Sequence, residues 1–143
     1  MNYTRKLRIM PDTRKNIEIL NKHTIMIISY NDSIIKEFTE LMHKLNIRTY
    51  SSGNLSIDTI IKYNPDILLT DIPKTFIETD KYIEDITTKT DAMVFILVDE
   101  LTDYDIVTHC INNGAVSYIE KPLNYIHTVR ELSTHIKNKK KQI

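Results

Sequence analysis

Between residues 23 and 137 a short apolar run of strand length is followed, five times over, by a stretch in which apolar residues recur at helical spacing. No other feature of the chain restricts its fold as tightly. The runs fall at 25–30, 47–51, 67–70, 93–98 and 116–119. The first, third and fourth (IMIISY, ILLT, MVFILV) are continuously apolar and rich in β-branched residues, the pattern of central parallel strands covered on both faces. Behind the first run, Ile34, Ile35, Phe38, Leu41, Met42 and Leu45 share one helical stripe, with Asp32 or Ser33 expected as its cap. Further helices are expected after Asn54, Thr102 and Asn124, and a less clearly marked one around Tyr82, Ile83 and Ile86. Parallel strands need right-handed crossovers and helices on both faces. The expected fold is therefore α/β, a doubly wound five-stranded parallel sheet in a three-layer sandwich.

Outside this alternation, residues 1–22 read as an N-terminal extension. It carries Arg5, Lys6, Arg8, Arg14, Lys15 and Lys22 around a small apolar cluster of Ile17, Ile19 and Leu20, with a short helix expected from about Asp12. Whether that helix docks on the body at 23–137 cannot be read from the pattern. Residues 138–143 form a basic C-terminal tail.

The charges bound the function. Nineteen Lys and Arg balance nineteen Asp and Glu, so the basic excess of a typical nucleic-acid or membrane-surface protein is missing. A nucleic-acid or acidic-partner module working through the basic ends is the weakest of the readings. There is no apolar run of bilayer length and no signal-peptide pattern at the start, and the cytoplasm is the expected compartment. Cys110, the single cysteine, falls on an apolar helical stripe and is expected in the core. His23, His43, His109, His127 and His135 are dispersed without metal-ligand spacing, and the two glycines, Gly53 and Gly114, form no phosphate-binding loop.

Functional groups in a doubly wound sheet gather beyond the carboxyl ends of the strands. Two segments place chemistry there. Pro65-Asp66-Ile67-Leu68-Leu69-Thr70-Asp71 ends a buried strand on a carboxylate, and Gly114-Ala115-Val116-Ser117-Tyr118-Ile119-Glu120-Lys121-Pro122 ends the last strand on an ammonium and a proline. With the strand and helix order, these segments resemble the receiver domain of bacterial two-component response regulators over residues 23–136. The resemblance implies a (βα)5, flavodoxin-like or CheY-like fold and a signalling domain rather than an enzyme. It implies Asp71 as phosphoacceptor, Lys121 as the lysine that pairs with the phosphoryl group, and Tyr118 as the switch aromatic.

The resemblance also implies an acidic pair holding Mg²⁺ and a Thr or Ser ending the fourth strand. Counted back from the first helix, the acidic pair falls on Ser29 and Tyr30. Neither is a carboxylate, and hard Mg²⁺ takes oxygen ligands with one or two carboxylates among them. Asp32 would reach a metal only through a bulged loop. The hydroxyl position falls on Asp99 by family spacing or on Val98 by strand pattern, and neither supplies a hydroxyl. The expected function is accordingly a stand-alone, atypical receiver acting through protein contacts, with weak or absent Mg-dependent phosphorylation and no resident cofactor. A histidine kinase or a downstream signalling protein is its expected partner. The resemblance adds possible homodimer contacts through the fourth helix, fifth strand and fifth helix of the repeat, at residues 103–113 and 124–137. The alternative is a working phospho-receiver in which Asp71 is phosphorylated with Mg²⁺.

Overall fold

A computed structural model describes residues 11–141; residues 1–10 and 142–143, and with them Arg5, Lys6 and Arg8, lie outside the described residues. The described elements are α1 (Pro11–Leu20), β1 (Thr24–Ile28), α2 (Asp32–Lys44), β2 (Arg48–Ser52), α3 (Ile57–Tyr63), β3 (Ile67–Thr70), α4 (Phe76–Lys89), β4 (Met93–Val98), α5 (Tyr104–Asn112), β5 (Ser117–Glu120) and α6 (Tyr125–Lys141). All four strand pairings are parallel, in the order β2-β1-β3-β4-β5. The three continuously apolar runs are the three inner strands, as two-sided burial requires. Val, Ile and Leu on both sides of a strand are stable only where helices cover both faces.

Alternation along each strand sorts the core into two layers. Ile25, Ile27, Leu69, Phe95, Leu97 and Ile119 pack against Phe38 and Met42 of α2 and Val129, Leu132 and Ile136 of α6. Met26, Ile28, Leu68, Ile96 and Val98 pack against Ile60 of α3, Ile83 and Ile86 of α4, and Val107 and Cys110 of α5. The segment preceding β1 joins the first layer. Leu20 is fully buried and Ile17 nearly so, both in the cluster with α2 and α6, and the amide of Asn16 accepts from Lys137 at 3.5 Å. The C-terminal lysines continue α6 as far as Lys141.

The start of α2 differs from the expected cap by one or two residues. Asn31, not Asp32 or Ser33, caps α2: its Oδ1 accepts from the amides of Ser33 and Ile34 at 2.9 and 3.4 Å. The shift arises because Ser29 Oγ accepts the amide of Asn31, which turns the chain into the helix one residue early. As expected, helices follow Asn54, Thr102 and Asn124. Ser56 caps α3, after Asn54, whose amide is bonded to Ser52 Oγ. Asp103 caps α5, directly after Thr102, whose hydroxyl is bonded to Asp99. Asn124 caps α6, accepting from the amide of His127. The helix least marked in the sequence is fourteen residues long.

Gly114 ends the α5 turn at φ 117°, and a Cβ there would stand 2.7 Å from Thr87 Cγ2 on α4. Gly114→Ala is expected to lower stability by about 1–3 kcal/mol, since backbone strain alone costs that much. Adding Thr87→Ser removes the methyl group but not the strain. Urea melts should show partial recovery, and complete recovery would mean that φ is relaxed.

Candidate functional site

Register and side-chain parity bring the predicted residues together. Ile28 lies opposite Thr70 in the β1–β3 pair, so the next residues, Ser29 and Asp71, leave the two strands side by side. Val98 lies opposite Glu120 in the β4–β5 pair, which sets Asp99 beside Lys121 in the same way. By parity, Ser29, Asp71, Asp99 and Lys121 continue the rows of Ile27, Leu69, Leu97 and Ile119 on the α2 and α6 side of the sheet. Val98 belongs to the other layer, where it is 2% exposed. Of the two candidates for the hydroxyl position, Asp99 is therefore the one that lines the cleft.

That cleft, about 590 Å³ and open to solvent, is bordered by Tyr30, Asp32, Asp71, Lys74, Asp99 and Lys121 among others. Asp71 is buried at its floor. Its Oδ1 accepts from Lys121 Nζ at 2.8 Å. Its Oδ2 accepts from the Ser29 hydroxyl at 2.8 Å and from the Tyr30 backbone amide at 2.8 Å. The Lys121 side chain is 17% exposed, and it lies 3.9 Å from Asp99 Oδ2. Asp99 Oδ1 is engaged locally, by the amide of Leu101 and the hydroxyl of Thr102. Beneath the site, Thr70 Oγ1 donates to the Asp71 carbonyl, leaving the Tyr82 hydroxyl to donate to Thr70. Burial holds the Tyr82 phenol far above its ordinary pKa.

Tyr30 leaves the cleft open. Its ring is 57% exposed at the rim. Desolvation first, then the charges of Asp71 and Glu78, raise its pKa, which keeps the phenol protonated at neutral pH. Tyr118 is half exposed on β5, its ring edge-on to Tyr104 with centroids 6.4 Å apart. Asp32 is exposed in the first turn of α2. Cys110 lies fully buried, and burial pushes its thiol up to about 11, so at neutral pH its sulfur is a protonated packing group.

The donor set matches a hard divalent cation poorly. The groups directly on Asp71 are a hydroxyl, a backbone N–H and an ammonium, all donors, where Mg²⁺ needs oxygen acceptors. Among the described residues no three Asp, Glu, His or Cys side chains are grouped to hold a metal. Ser29 Oγ and the Tyr30 amide are the partners that residue counting missed. Ser29 was legible as the polar end of an apolar run, but nothing local shows that its hydroxyl reaches a carboxylate forty-two residues away.

The fold is similar to that of solved receiver domains. No family model matches the chain, and no curated protein does. Among solved structures, the signal receiver domain of a protein described as a Luxo repressor from Vibrio parahaemolyticus aligns with a TM-score of 0.70 at 16% identity, over 84% of this chain and 94% of that one. A two-component response regulator from Clostridium difficile aligns with a TM-score of 0.69 at 16% identity, over 80% and 95%. The beryllofluoride-activated NtrC4 receiver domain, solved as a dimer, aligns with a TM-score of 0.64 at 15% identity, over 78% and 93%. The chain has the receiver fold of two-component response regulators. Among the described residues no helix is long and apolar enough to cross a membrane.

Proposed function

We propose that this domain signals through protein contacts, with Asp71 and Lys121 acting as an internal clamp and with Mg-dependent phosphorylation weak or absent. One observation carries the reading: both carboxylate oxygens of Asp71 are engaged by donors, Lys121 on one side and Ser29 and Tyr30 on the other. Three donors leave one of its roughly four lone-pair sites open, but attack on a phosphoryl donor also needs cations over the equatorial oxygens. Among the described residues no Asp, Glu, His or Cys cluster is grouped to recruit that metal, and displacing Lys121 to free it for the phosphoryl group costs a hydrogen bond to a charged group, about 1.5–3 kcal/mol.

The test is intact-mass spectrometry after incubation with acetyl phosphate and Mg²⁺. The expected result is no phosphoryl adduct, with an adduct emerging in the Ser29→Asp/Tyr30→Asp variant, whose new carboxylates supply the missing ligands. An adduct on the native chain that Asp71→Asn removes would establish the phospho-receiver instead.

The contact surface suited to this function is the α5–β5–α6 face, where Tyr104 and Tyr118 are 63% and 37% exposed. A histidine kinase, a downstream signalling protein or a second copy would dock there, as the dimeric neighbour encourages. Tyr104→Glu with Tyr118→Glu should abolish self-association in sedimentation velocity, or partner capture, while leaving the circular dichroism melt in place. Unchanged association would remove this face from the function.

A further inference from the structure

We propose that a cleft at the amino end of the sheet, opposite the Asp71 site, binds small phosphate-bearing anions. It has a volume of about 410 Å³ and is lined by Asn21, Lys22 and His23 from the turn after α1, and by His43, Asn46 and Arg48 from the junction of α2 with β2. Four of these six side chains are basic and none is acidic. In a chain whose acids and bases balance, this is a marked local excess.

The basic side chains meet with no acidic residue in the lining. Among the described residues Lys22, His43 and Arg48 make no salt bridge, and the side-chain amides of Asn21 and Asn46 make no hydrogen bond. The His23 side chain is partly exposed at the cleft, but its Nε2 is buried and out of reach of a ligand there. Asp66 stands behind His23, its Oδ2 3.7 Å from Nδ1, and that oxygen also accepts from the amide and hydroxyl of Thr24 at 2.8 and 3.2 Å.

Both α1 and α2 end at this cleft, and basic residues also suit the negative ends of helices. α2 already has His43 and Lys44 in its last turn. That role also covers Lys22, whose amide closes the last turn of α1 on Ile19, but not Arg48, which begins β2. A phosphoryl oxyanion is the ligand that would use cations and neutral donors together, through short charge-assisted hydrogen bonds.

The test is a titration of the full chain, followed by amide NMR, with pyrophosphate and separately with ADP, each referenced to sodium chloride at matched ionic strength. Saturable shifts centred on residues 21–24 and 46–48 are expected with both. Lys22→Ser with Arg48→Ser should weaken binding by about tenfold or more, because each lost charge-assisted bond is worth at least that factor. Lys139→Ser, an equal loss of charge on α6, should not. Equal affinities support recognition of the phosphoryl group alone, and distinctly tighter ADP binding supports a nucleotide as its source. Shifts that follow chloride, that centre on Lys121, or that survive the double substitution overturn the proposal. A double variant that changes only the melting temperature assigns the cluster to the helix ends and overturns it equally.

Discussion

Asp71→Ala is expected to lower the free energy of unfolding by about 3–5 kcal/mol, the cost of breaking a buried ion pair from one side. The reason lies in what remains. Lys121 keeps its charge in a position where its side chain is 17% exposed, while the fully buried Ser29 hydroxyl and the Tyr30 amide lose their acceptor. Asp71→Asn should cost less, because the amide oxygen still accepts on one side, although its NH₂ group must then face a donor on the other. Lys121→Met alone should cost less than Asp71→Ala, since the carboxylate keeps two donors. The pair Asp71→Leu with Lys121→Met should recover much of the loss, as apolar replacements of buried pairs commonly do. The chain has no tryptophan, so urea denaturation followed by far-ultraviolet circular dichroism is the suitable measurement. A loss below about 1 kcal/mol for Asp71→Ala, the value of an exposed pair, would show that the clamp is not structural.

Leu20→Ala is expected to cost about 2–5 kcal/mol, as for other fully buried leucines. By contrast Lys22→Ala, two residues away and exposed, should stay within about 0.5 kcal/mol. Leu20 has no exposed surface and packs in the layer formed by α2, α6 and the sheet. The comparison tests whether residues 11–20 belong to the cooperative unit. If Leu20→Ala matched Lys22→Ala, α1 would be an accessory docked without consequence for folding.

These two expectations differ in how far the sequence foreshadows them. Asp71 and Lys121 were legible as candidate site residues because each ends a strand within a distinctive segment, and strand ends of a doubly wound sheet converge. The docking of α1 was not legible: three apolar residues among six basic ones look like an extension until α6 is seen to lack cover where Ile17 and Leu20 lie. The cap of α2 moved for a related reason. Several nearby polar side chains can cap a helix, and which one does so depends on where the preceding strand releases the chain. Ser29 at the end of β1 accepts the Asn31 amide, and Asn31 becomes the cap.

Local periodicity determined the parallel five-stranded sheet, the identity of its inner strands and the faces their side chains occupy, because burial on one or both sides selects residue types position by position. Local periodicity likewise showed that the two residues after β1 are not carboxylates. Only the tertiary structure decided that Ser29 and the Tyr30 amide close on one oxygen of Asp71, that Lys121 closes on the other, that Asp99 rather than Val98 lines the cleft, and that Leu20 is core. Each of these depends on strand register or helix docking between segments far apart in the chain. A shift of one residue in any pairing would turn the same side chains to the opposite face.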